Sequence, residues 1–270
     1  MKLKIACIQL NSSGDIQDNI ATIETQVARA AETGAELIAL PEMAFYIDQP
    51  GGARDLYTQD THPAVKASAE MARKYSVWLL AGSVAVTIDD SGKTVNRSIL
   101  FDDKGNEVAH YDKIHLFDVE VGDGQSYRES KTYLSGARAV VADTPWAKLG
   151  MSVCYDVRFP HLYRALAKAG AEILAVPAAF TQVTGEAHWH VLLRARAIEN
   201  GCFVIAPAQC GTHQGGRKTY GHAMIIDPWG KIVVEAGTES EIITAEIDLD
   251  EVKQARAKLP SLEHDREFEV

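Results

Sequence analysis

Two segments of this chain, 31–41 and 167–177, follow the same pattern. Each is typical of a helix end, a glycine stop, a buried apolar strand and a proline. A further strand-like run precedes each segment, at 4–7 and at 148–151. We therefore predict an α/β fold of two related halves, packed as a four-layer α–β–β–α sandwich with two mixed sheets. The simpler alternative is that any strand–helix–strand unit repeats this order by chance.

The elements of the first half can be placed from local patterns. Asp15 can cap a helix whose apolar positions recur at helical spacing as far as a stop at Gly34. A buried strand is predicted over 36–40, a second helix over 63–74 and a further strand over 77–86.

Turn signals at 89–92, 102–105 and 227–230 separate strand-like runs and predict antiparallel hairpins. The polar stretch 122–130 is predicted to be a loop that helps to shape a pocket wall. No low-complexity linker divides the chain, so we expect a single domain over 1–270 with an extended tail from about residue 260.

Composition excludes several classes of function. The 270 residues are 46% hydrophobic and 24% charged, with a net charge of −10, and an acidic protein does not favour nucleic acid or an anionic membrane. No run approaches the length of a spanning helix, and the N-terminus lacks a signal-peptide pattern, so we expect a cytoplasmic protein. The four cysteines show no CxxC spacing, which predicts neither a disulfide framework nor a zinc site.

One of these cysteines lies where a nucleophile is well placed. An apolar strand-like run ends at Cys154, and Pro160 can open a helix shortly afterwards. Backbone N–H groups at such a turn point towards incoming negative charge, and a helix start lowers the pKa of a thiol. The other three cysteines lie in apolar strands and are more typical of small buried residues.

Glu42 and Lys113 complete a set of groups that acyl transfer needs. Glu42 directly follows a predicted strand and Pro41, and Lys113 lies in an apolar-flanked segment at a strand end. Taken singly, the three residues are more typical of a buried cysteine, a solvated acid and a surface lysine. Together they supply a thiol nucleophile, a proton acceptor and a cation for an oxyanion. No spacing ties a histidine such as His115 or His188 to Cys154.

Segments 40–43, 111–117 and 153–160 resemble the three signature segments of the nitrilase superfamily of carbon–nitrogen hydrolases. The resemblance implies a Glu–Lys–Cys triad carried by Glu42, Lys113 and Cys154. A second glutamate of the family falls on Glu129, where it is expected to steady the lysine and the substrate nitrogen. The family also implies an α–β–β–α sandwich that forms homodimers, with no metal and no organic cofactor.

Segment 187–200 resembles the branch of the superfamily that holds omega-amidase and deaminated glutathione amidase. Four further segments are more similar to the second of these enzymes; they are 117–120, 208–211, 220–224 and 227–230. Nitrilases usually have a Trp after the cysteine, whereas this chain has Tyr155, so nitrile hydrolysis is disfavoured. The resemblance implies cleavage of a primary amide of a small carboxylate-bearing substrate through a thioester, with release of ammonia. Deaminated glutathione is the expected substrate; alpha-ketoglutaramate and N-carbamoyl amino acids are the alternatives.

Residues for substrate binding follow from their places near the nucleophile. Arg158 is the first candidate to bind a substrate carboxylate, because guanidinium groups bind carboxylates bidentately; an ion pair with Asp156 or a helix end is an equal alternative. The Tyr155 N–H is expected at the oxyanion, and Phe180 and Thr181 at the pocket wall. Arg194 and Arg196 lie two apart on a helix and cannot both face the pocket. The pair His188–Trp189 is more typical of packing.

Two other classes of function remain open at this stage. A non-catalytic scaffold of the same fold would act by dimerisation or partner binding, and loss of a triad member would mark it. A thiol-redox protein would use Cys154 with another cysteine, but the sequence holds no adjacent resolving cysteine.

Overall fold

The computed structural model describes residues 1–47, 55–89, 92–120 and 126–269, and these contain eighteen strands and five α-helices. The strands are β1 (Lys2–Ile8), β2 (Leu37–Ala39), β3 (Trp78–Leu80), β4 (Val84–Thr87), β5 (Thr94–Phe101), β6 (Glu107–Asp112), β7 (Asp118–Glu120), β8 (Ser126–Arg128), β9 (Tyr133–Leu134), β10 (Val140–Asp143), β11 (Lys148–Met151), β12 (Ile173–Ala175), β13 (Phe203–Ala206), β14 (Cys210–Thr212), β15 (Lys218–Tyr220), β16 (Met224–Ile226), β17 (Ile232–Glu235) and β18 (Ile242–Asp248). The helices are α1 (Ile16–Glu32), α2 (Pro63–Tyr75), α3 (Pro160–Lys168), α4 (Gln182–Asn200) and α5 (Asp250–Lys258). Short 3₁₀ turns span Glu129–Lys131 and Cys154–Arg158.

Two mixed sheets carry the fold. The first has the order β18-β1-β2-β3-β5-β4, with β6 and β9 also paired to β5. The second has the order β10-β11-β12-β13-β16-β17. In each sheet three central strands run parallel, β1-β2-β3 and β11-β12-β13, and antiparallel strands flank them. Both parallel cores therefore have a β–α–β–α–β order, and its first β–α–β unit is the one that the sequence pattern predicts in each half.

The two faces of the first sheet are buried against different layers. On one face, Ile38 packs with Ile23 of α1 and Met71 of α2 in one apolar cluster. On the other face, alternate residues such as Leu37 belong to a second cluster that includes Leu149 of the second sheet. Because side chains alternate across a strand, each strand of the first sheet serves both layers. The second sheet is covered by α3 and α4, so the predicted α–β–β–α sandwich is confirmed.

The first helix begins and ends for reasons visible in the sequence. The Asp15 carboxylate accepts hydrogen bonds from the N–H groups of Gln17 and Asp18, which satisfies donors of the first turn. The helix ends at Glu32, and Gly34 takes up a left-handed φ of 83° directly after it.

The strand predicted over 77–86 is wrong as a single element. It is divided into β3 and β4 around Gly82, which has φ +66°. A Cβ at this position would lie 1.9 Å from the Pro41 carbonyl oxygen, so only glycine allows the chain to pass here. The break places residue 83 beside the loop after β2, where the Ser83 hydroxyl accepts a hydrogen bond from the Met43 N–H.

Two predicted hairpins are confirmed, and one predicted loop is partly wrong. The turns at 102–105 and 227–230 join the antiparallel pairs β5–β6 and β16–β17. Within 122–130, residues 126–128 form β8, which pairs with β7, and a 3₁₀ turn follows. Residues 90–91 of the first turn signal, and residues 122–125 of the predicted loop, lie outside the described residues.

The described end of the chain has neither helix nor strand after Lys258, with a turn at 261–263. Asp265 pairs with Arg164 and Lys168 of α3, and Leu262 packs against the larger apolar cluster. Among the described residues, no helix combines the length and the apolar character that crossing a bilayer requires.

Candidate active site

Four side chains from four separate loops meet at one edge of the sandwich. Glu42 follows β2, Lys113 follows β6, Glu129 opens a 3₁₀ turn and Cys154 follows β11. The Lys113 Nζ lies 2.9 Å from Glu42 Oε1 and 2.9 Å from Glu129 Oε2. Lys113 is only 2% exposed, so an ammonium here depends on its two carboxylate partners. The structure thus brings together all four residues for which the sequence predicts catalytic roles.

Cys154 stands in a strained backbone conformation. Its φ is +50°, which is uncommon for any residue with a Cβ, and its N–H donates to the Pro177 carbonyl at 2.9 Å. The Cys154 thiol and the Glu42 carboxylate lie close enough for each to shift the pKa of the other. Strain of this kind persists only where the surrounding structure imposes it, and it clusters at functional sites.

The charges in this cluster are set by burial and by near neighbours. Burial alone would raise the pKa of Glu42, but the Lys113 ammonium lowers it below its ordinary value. Burial would lower the pKa of Lys113, but Glu129 and Glu42 raise it well above its ordinary value. The resting cluster therefore holds a carboxylate and an ammonium.

The expected lowering of the Cys154 pKa is wrong. Burial, together with the adjacent Glu42 carboxylate, raises the pKa of this thiol well above its ordinary value. The turn after the cysteine favours a lower pKa, but the Glu42 carboxylate beside the thiol comes from a distant part of the chain and outweighs it. A raised pKa favours the neutral thiol at rest, beside the carboxylate that can accept its proton.

Asn96, which the sequence analysis missed, holds the two glutamates in place. Its Nδ2 donates to Glu42 Oε1 at 3.0 Å and to Glu129 Oε1 at 3.3 Å. The other Glu42 oxygen accepts the Ala179 N–H at 2.9 Å. Asn96 lies on β5, where Thr94, Asn96 and Ser98 place polar groups at alternate buried positions. That alternation is the signal that could have identified it, because a buried strand face is usually apolar.

The cluster opens into a cavity of about 340 Å³. Its wall includes Phe180 and Thr181, as predicted, together with Tyr155 and residues from several other regions of the fold. Those further residues are Met43, Asn96, Phe117, Ser126, Tyr127, Arg128, Thr132, Tyr133, Ala179, Thr184 and Arg217. The lining combines aromatic walls with a few polar groups, which is the usual make-up of a small-molecule site.

Arg158 does not line this cavity. Its guanidinium lies over the rings of Phe180 and Tyr155, at 5.0 Å and 5.9 Å, and is hydrogen-bonded to His188. The alternative pairing with Asp156 is also not formed, since Asp156 accepts from Tyr111, His115 and the Val153 N–H. Arg158 thus supports the outer wall through its contacts with two lining rings.

The cavity does contain an arginine that the sequence analysis missed. Arg217 lies just before β15; its Nη2 donates to the Ala179 carbonyl at 3.1 Å, and its guanidinium lies 5.9 Å from the Tyr127 ring. Its buried Nε has no hydrogen-bond partner among the described residues. Arg128, by contrast, already donates to Val119, Tyr127 and Glu120. A lone arginine in a glycine-rich hairpin gives no distinctive sequence signal.

The remaining candidates have structural contacts. His115 is hydrogen-bonded to Asp156 at 2.7 Å and stacks on Phe159, and Trp189 is fully buried against Phe180. Arg194 donates to the Gly230 carbonyl and Arg196 to the Val157 carbonyl, and neither lines the cavity. In the described part of the chain, no histidine is found hydrogen-bonded to Cys154.

Comparison with known proteins shows the family to which this chain belongs. The sequence profile described as carbon–nitrogen hydrolase matches residues 4–257. A protein named deaminated glutathione amidase from Synechocystis sp. is 44% identical over 262 residues, covering 96% of each chain. The human protein of the same name is 40% identical over 267 residues, covering 97% of this chain and 82% of its own.

Two solved structures have the same fold as this chain. Nit3 of Saccharomyces cerevisiae, described as a member of branch 10 of the nitrilase superfamily, superposes with a TM-score of 0.84 and 32% identity, covering 96% of this chain and 94% of its own. An amidase from Nesterenkonia sp. AN1, described as showing Michael addition of acrylamide at its active site cysteine, superposes with a TM-score of 0.80 and 27% identity, covering 96% of this chain and 98% of its own. The chain belongs to the carbon–nitrogen hydrolase family, within the nitrilase superfamily, and is a hydrolase that acts on amides.

Proposed function

We propose that Cys154 attacks the carbonyl of a small carboxylate-bearing amide and that the reaction passes through a thioester. The observation that supports this most directly is the buried Glu42–Lys113–Glu129 cluster beside the thiol, at the floor of a cavity of about 340 Å³. Glu42 and Cys154 are close enough for each to shift the pKa of the other. A base in contact with a nucleophile is the arrangement that nucleophilic catalysis needs.

In the first step, Glu42 takes the thiol proton while sulfur bonds to the amide carbon. The carbonyl π electrons move to oxygen, and the Lys113 ammonium and the Tyr155 N–H stabilise the resulting oxyanion. Losing one such donor typically costs about 3–4 kcal/mol in the barrier. Because the pKa of the resting thiol is raised, the proton transfer is expected to accompany the attack and not to precede it.

In the second step, protonated Glu42 gives its proton to the amide nitrogen, and the carbon–nitrogen bond breaks to leave a thioester on Cys154. Water then enters, Glu42 removes one of its protons, and the attack on the thioester releases the acid and restores the thiol. Glu129, which contacts Lys113 at 2.9 Å, keeps the ammonium charged and oriented. Asn96 holds both carboxylates in place.

Deaminated glutathione is the substrate we favour, because relatives at 40% and 44% identity carry that name. Glutathione without its amino group has only secondary amides, so the expected primary amide and ammonia release do not apply to this substrate. Its hydrolysis would release a peptide amine, whereas alpha-ketoglutaramate would release ammonia. We propose Arg217 as the group that binds a substrate carboxylate, since its side chain lines the cavity and a guanidinium binds a carboxylate bidentately. This assignment replaces Arg158.

A substrate panel tests the proposal. The protein is incubated separately with deaminated glutathione, alpha-ketoglutaramate and an N-carbamoyl amino acid, and the acid and amine products are quantified by mass spectrometry. We expect the highest kcat/KM for deaminated glutathione, and an acyl-enzyme mass in the wild type that is absent from Cys154→Ala. A preference for the carbamoyl compound would overturn the substrate, and equal turnover by Cys154→Ala would overturn the mechanism.

We further propose that residues 1–270 form one domain that acts in the cytoplasm, as a homodimer. The homodimer is what the resemblance to the nitrilase superfamily implies. Light scattering on the protein as it elutes from a size-exclusion column is expected to give twice the 29.4 kDa mass of one chain. The mass of a single chain at micromolar concentration would contradict the homodimer.

A further inference from the structure

Three metal-ligating side chains from three elements meet outside the catalytic cavity. His190 comes from α4, His222 precedes β16, and Glu235 ends β17. His190 Nε2 lies 2.8 Å from Glu235 Oε1, and His222 Nδ1 lies 2.7 Å from the same oxygen. The three ligand atoms all lie within 4.8 Å of one another. None of the three residues lines the catalytic cavity.

The backbone fixes the central ligand of this group. His222 has a φ of 55°, its N–H donates to the Gly237 carbonyl at 3.1 Å, and its carbonyl accepts the Trp189 indole N–H at 2.9 Å. Its ring stacks on Tyr220 with centroids 4.4 Å apart. These contacts hold a non-glycine residue in the left-handed region, and they aim Nδ1 at Glu235. Strain maintained in this way is typical of a functional position.

The exposure of these three side chains and the types of their donor atoms indicate which class of ion they can bind. The side chains of His190, His222 and Glu235 are 31%, 23% and 30% exposed, so an ion and a water molecule can reach them while the ring edges stay packed. Two imidazole nitrogens and one carboxylate oxygen form the three-ligand set with an open fourth position that is common for Zn²⁺. Calcium and magnesium prefer all-oxygen sites, which this group does not offer.

We propose that His190, His222 and Glu235 bind one Zn²⁺ ion, with water as the fourth ligand. A tetrahedral ion at about 2.0–2.2 Å from each ligand keeps the ligand atoms roughly 3.3–3.5 Å apart. The Glu235 oxygen therefore moves away from the two nitrogens by less than about 1 Å on binding. Both rings bind as neutral imidazoles, with the remaining proton on the nitrogen that does not face the ion.

Calorimetric titration of the metal-stripped, tag-free protein with Zn²⁺ alone tests this. The background variant is Cys154→Ala, so that the catalytic thiol cannot bind the ion. We expect one Zn²⁺ per chain, weakened at least roughly tenfold in His190→Gln, His222→Asn and Glu235→Gln. Asn is chosen at 222 because it tolerates a positive φ. A matched control is His110→Gln, which removes a surface histidine paired only with Glu107 and should leave the affinity unchanged.

A spectroscopic measurement distinguishes loss of the metal site from loss of folding. Co²⁺ in place of Zn²⁺ should give visible d–d bands without a thiolate band, and these bands should be lost in Glu235→Gln while its circular dichroism stays native. Absence of saturable one-to-one binding would overturn the proposal. Unchanged affinity in both His190→Gln and Glu235→Gln would equally show that the three residues form only a network of hydrogen bonds.

Discussion

Lys113 shows how a single buried residue organises the site. A fully buried ammonium is costly unless paired, and here two carboxylates lie within hydrogen-bond distance of it. The same proximity keeps Glu42 ionised and therefore able to accept a proton from Cys154. The motifs predicted these residues because their types and order are distinctive. Asn96 and Arg217 were missed because only their spatial neighbours make them special.

At low pH, protonation of Glu42 should destabilise the protein. Its pKa in the folded state is lowered below the ordinary 4.5, so its contribution is fully present above about pH 4.5 and is lost as pH falls through the folded pKa. We expect the free energy of unfolding to fall less steeply below pH 5 in Glu42→Gln than in the wild type, measured by urea denaturation. The exposed Glu24→Gln serves as the control, since solvent screens its pair with Lys74. Parallel pH profiles for wild type and Glu42→Gln would contradict this.

Replacement of Arg217 should separate substrate binding from chemistry. Arg217→Met is expected to raise KM for a carboxylate-bearing amide by roughly 10- to 100-fold, the value of a charged hydrogen bond, and to leave KM for a neutral amide nearly unchanged. Steady-state kinetics on both substrates measures this. Arg158→Met is the matched comparison, because Arg158 contacts lining rings without lining the cavity itself. A larger effect at Arg158 would return the carboxylate site to that residue.

Among the elements, the strand ends determine where the chemistry can occur. β2 and β11 are central parallel strands of the two sheets, and each is followed directly by a loop that carries a reactive side chain. The carboxyl ends of such strands are the usual place for a site. The loop after β2 is held by its close approach to Gly82. Sequence periodicity predicted the strands but not this approach, because it depends on two segments that lie forty residues apart.

Gly82→Ala should disturb both stability and the position of Glu42. The added Cβ would lie 1.9 Å from the Pro41 carbonyl oxygen, at a φ of +66°. We expect a loss of about 3 kcal/mol or more in the free energy of unfolding, with a lower kcat in the protein that remains folded. Gly34→Ala is the control, since it shares the positive φ but has no atom within 4 Å, and should cost about 1–2 kcal/mol. Equal losses in the two variants would refute the role of the contact.

At the scale of the whole molecule, the site depends on the two sheets facing each other. Glu42 and Lys113 belong to the first sheet and Cys154 to the second, so their contact exists only when the sandwich is assembled. A buried hydrogen bond joins the same halves, from the Tyr111 hydroxyl at the end of β6 to Asp156 Oδ2 after β11, at 2.8 Å. Asp156 also caps its own turn through the Val153 N–H.

Tyr111→Phe should weaken this link between the sheets. Loss of a buried hydrogen bond to a charged group is expected to cost about 1.5–3 kcal/mol in the free energy of unfolding, read from urea denaturation. Tyr75→Phe is the comparison, since its hydroxyl contacts Glu24 at the surface at 3.3 Å, and we expect a change within about 0.5 kcal/mol. A Tyr111→Phe protein as stable as Tyr75→Phe would show that the sheets do not depend on this bond.

The sequence by itself determined most of the elements and the layered architecture, because periodicity, caps and turns are local properties. Its resemblance to the nitrilase superfamily singled out Glu42, Lys113, Glu129 and Cys154, whose catalytic roles stay a prediction. Only the tertiary structure decided the raised pKa of the Cys154 thiol, the contacts of Asn96, the place of Arg217 in the cavity wall, and the group formed by His190, His222 and Glu235. The physical reason is that pKa values, cavities and ligand sets depend on distances between residues far apart in the chain. Those distances are fixed only when both sheets and their helices have packed.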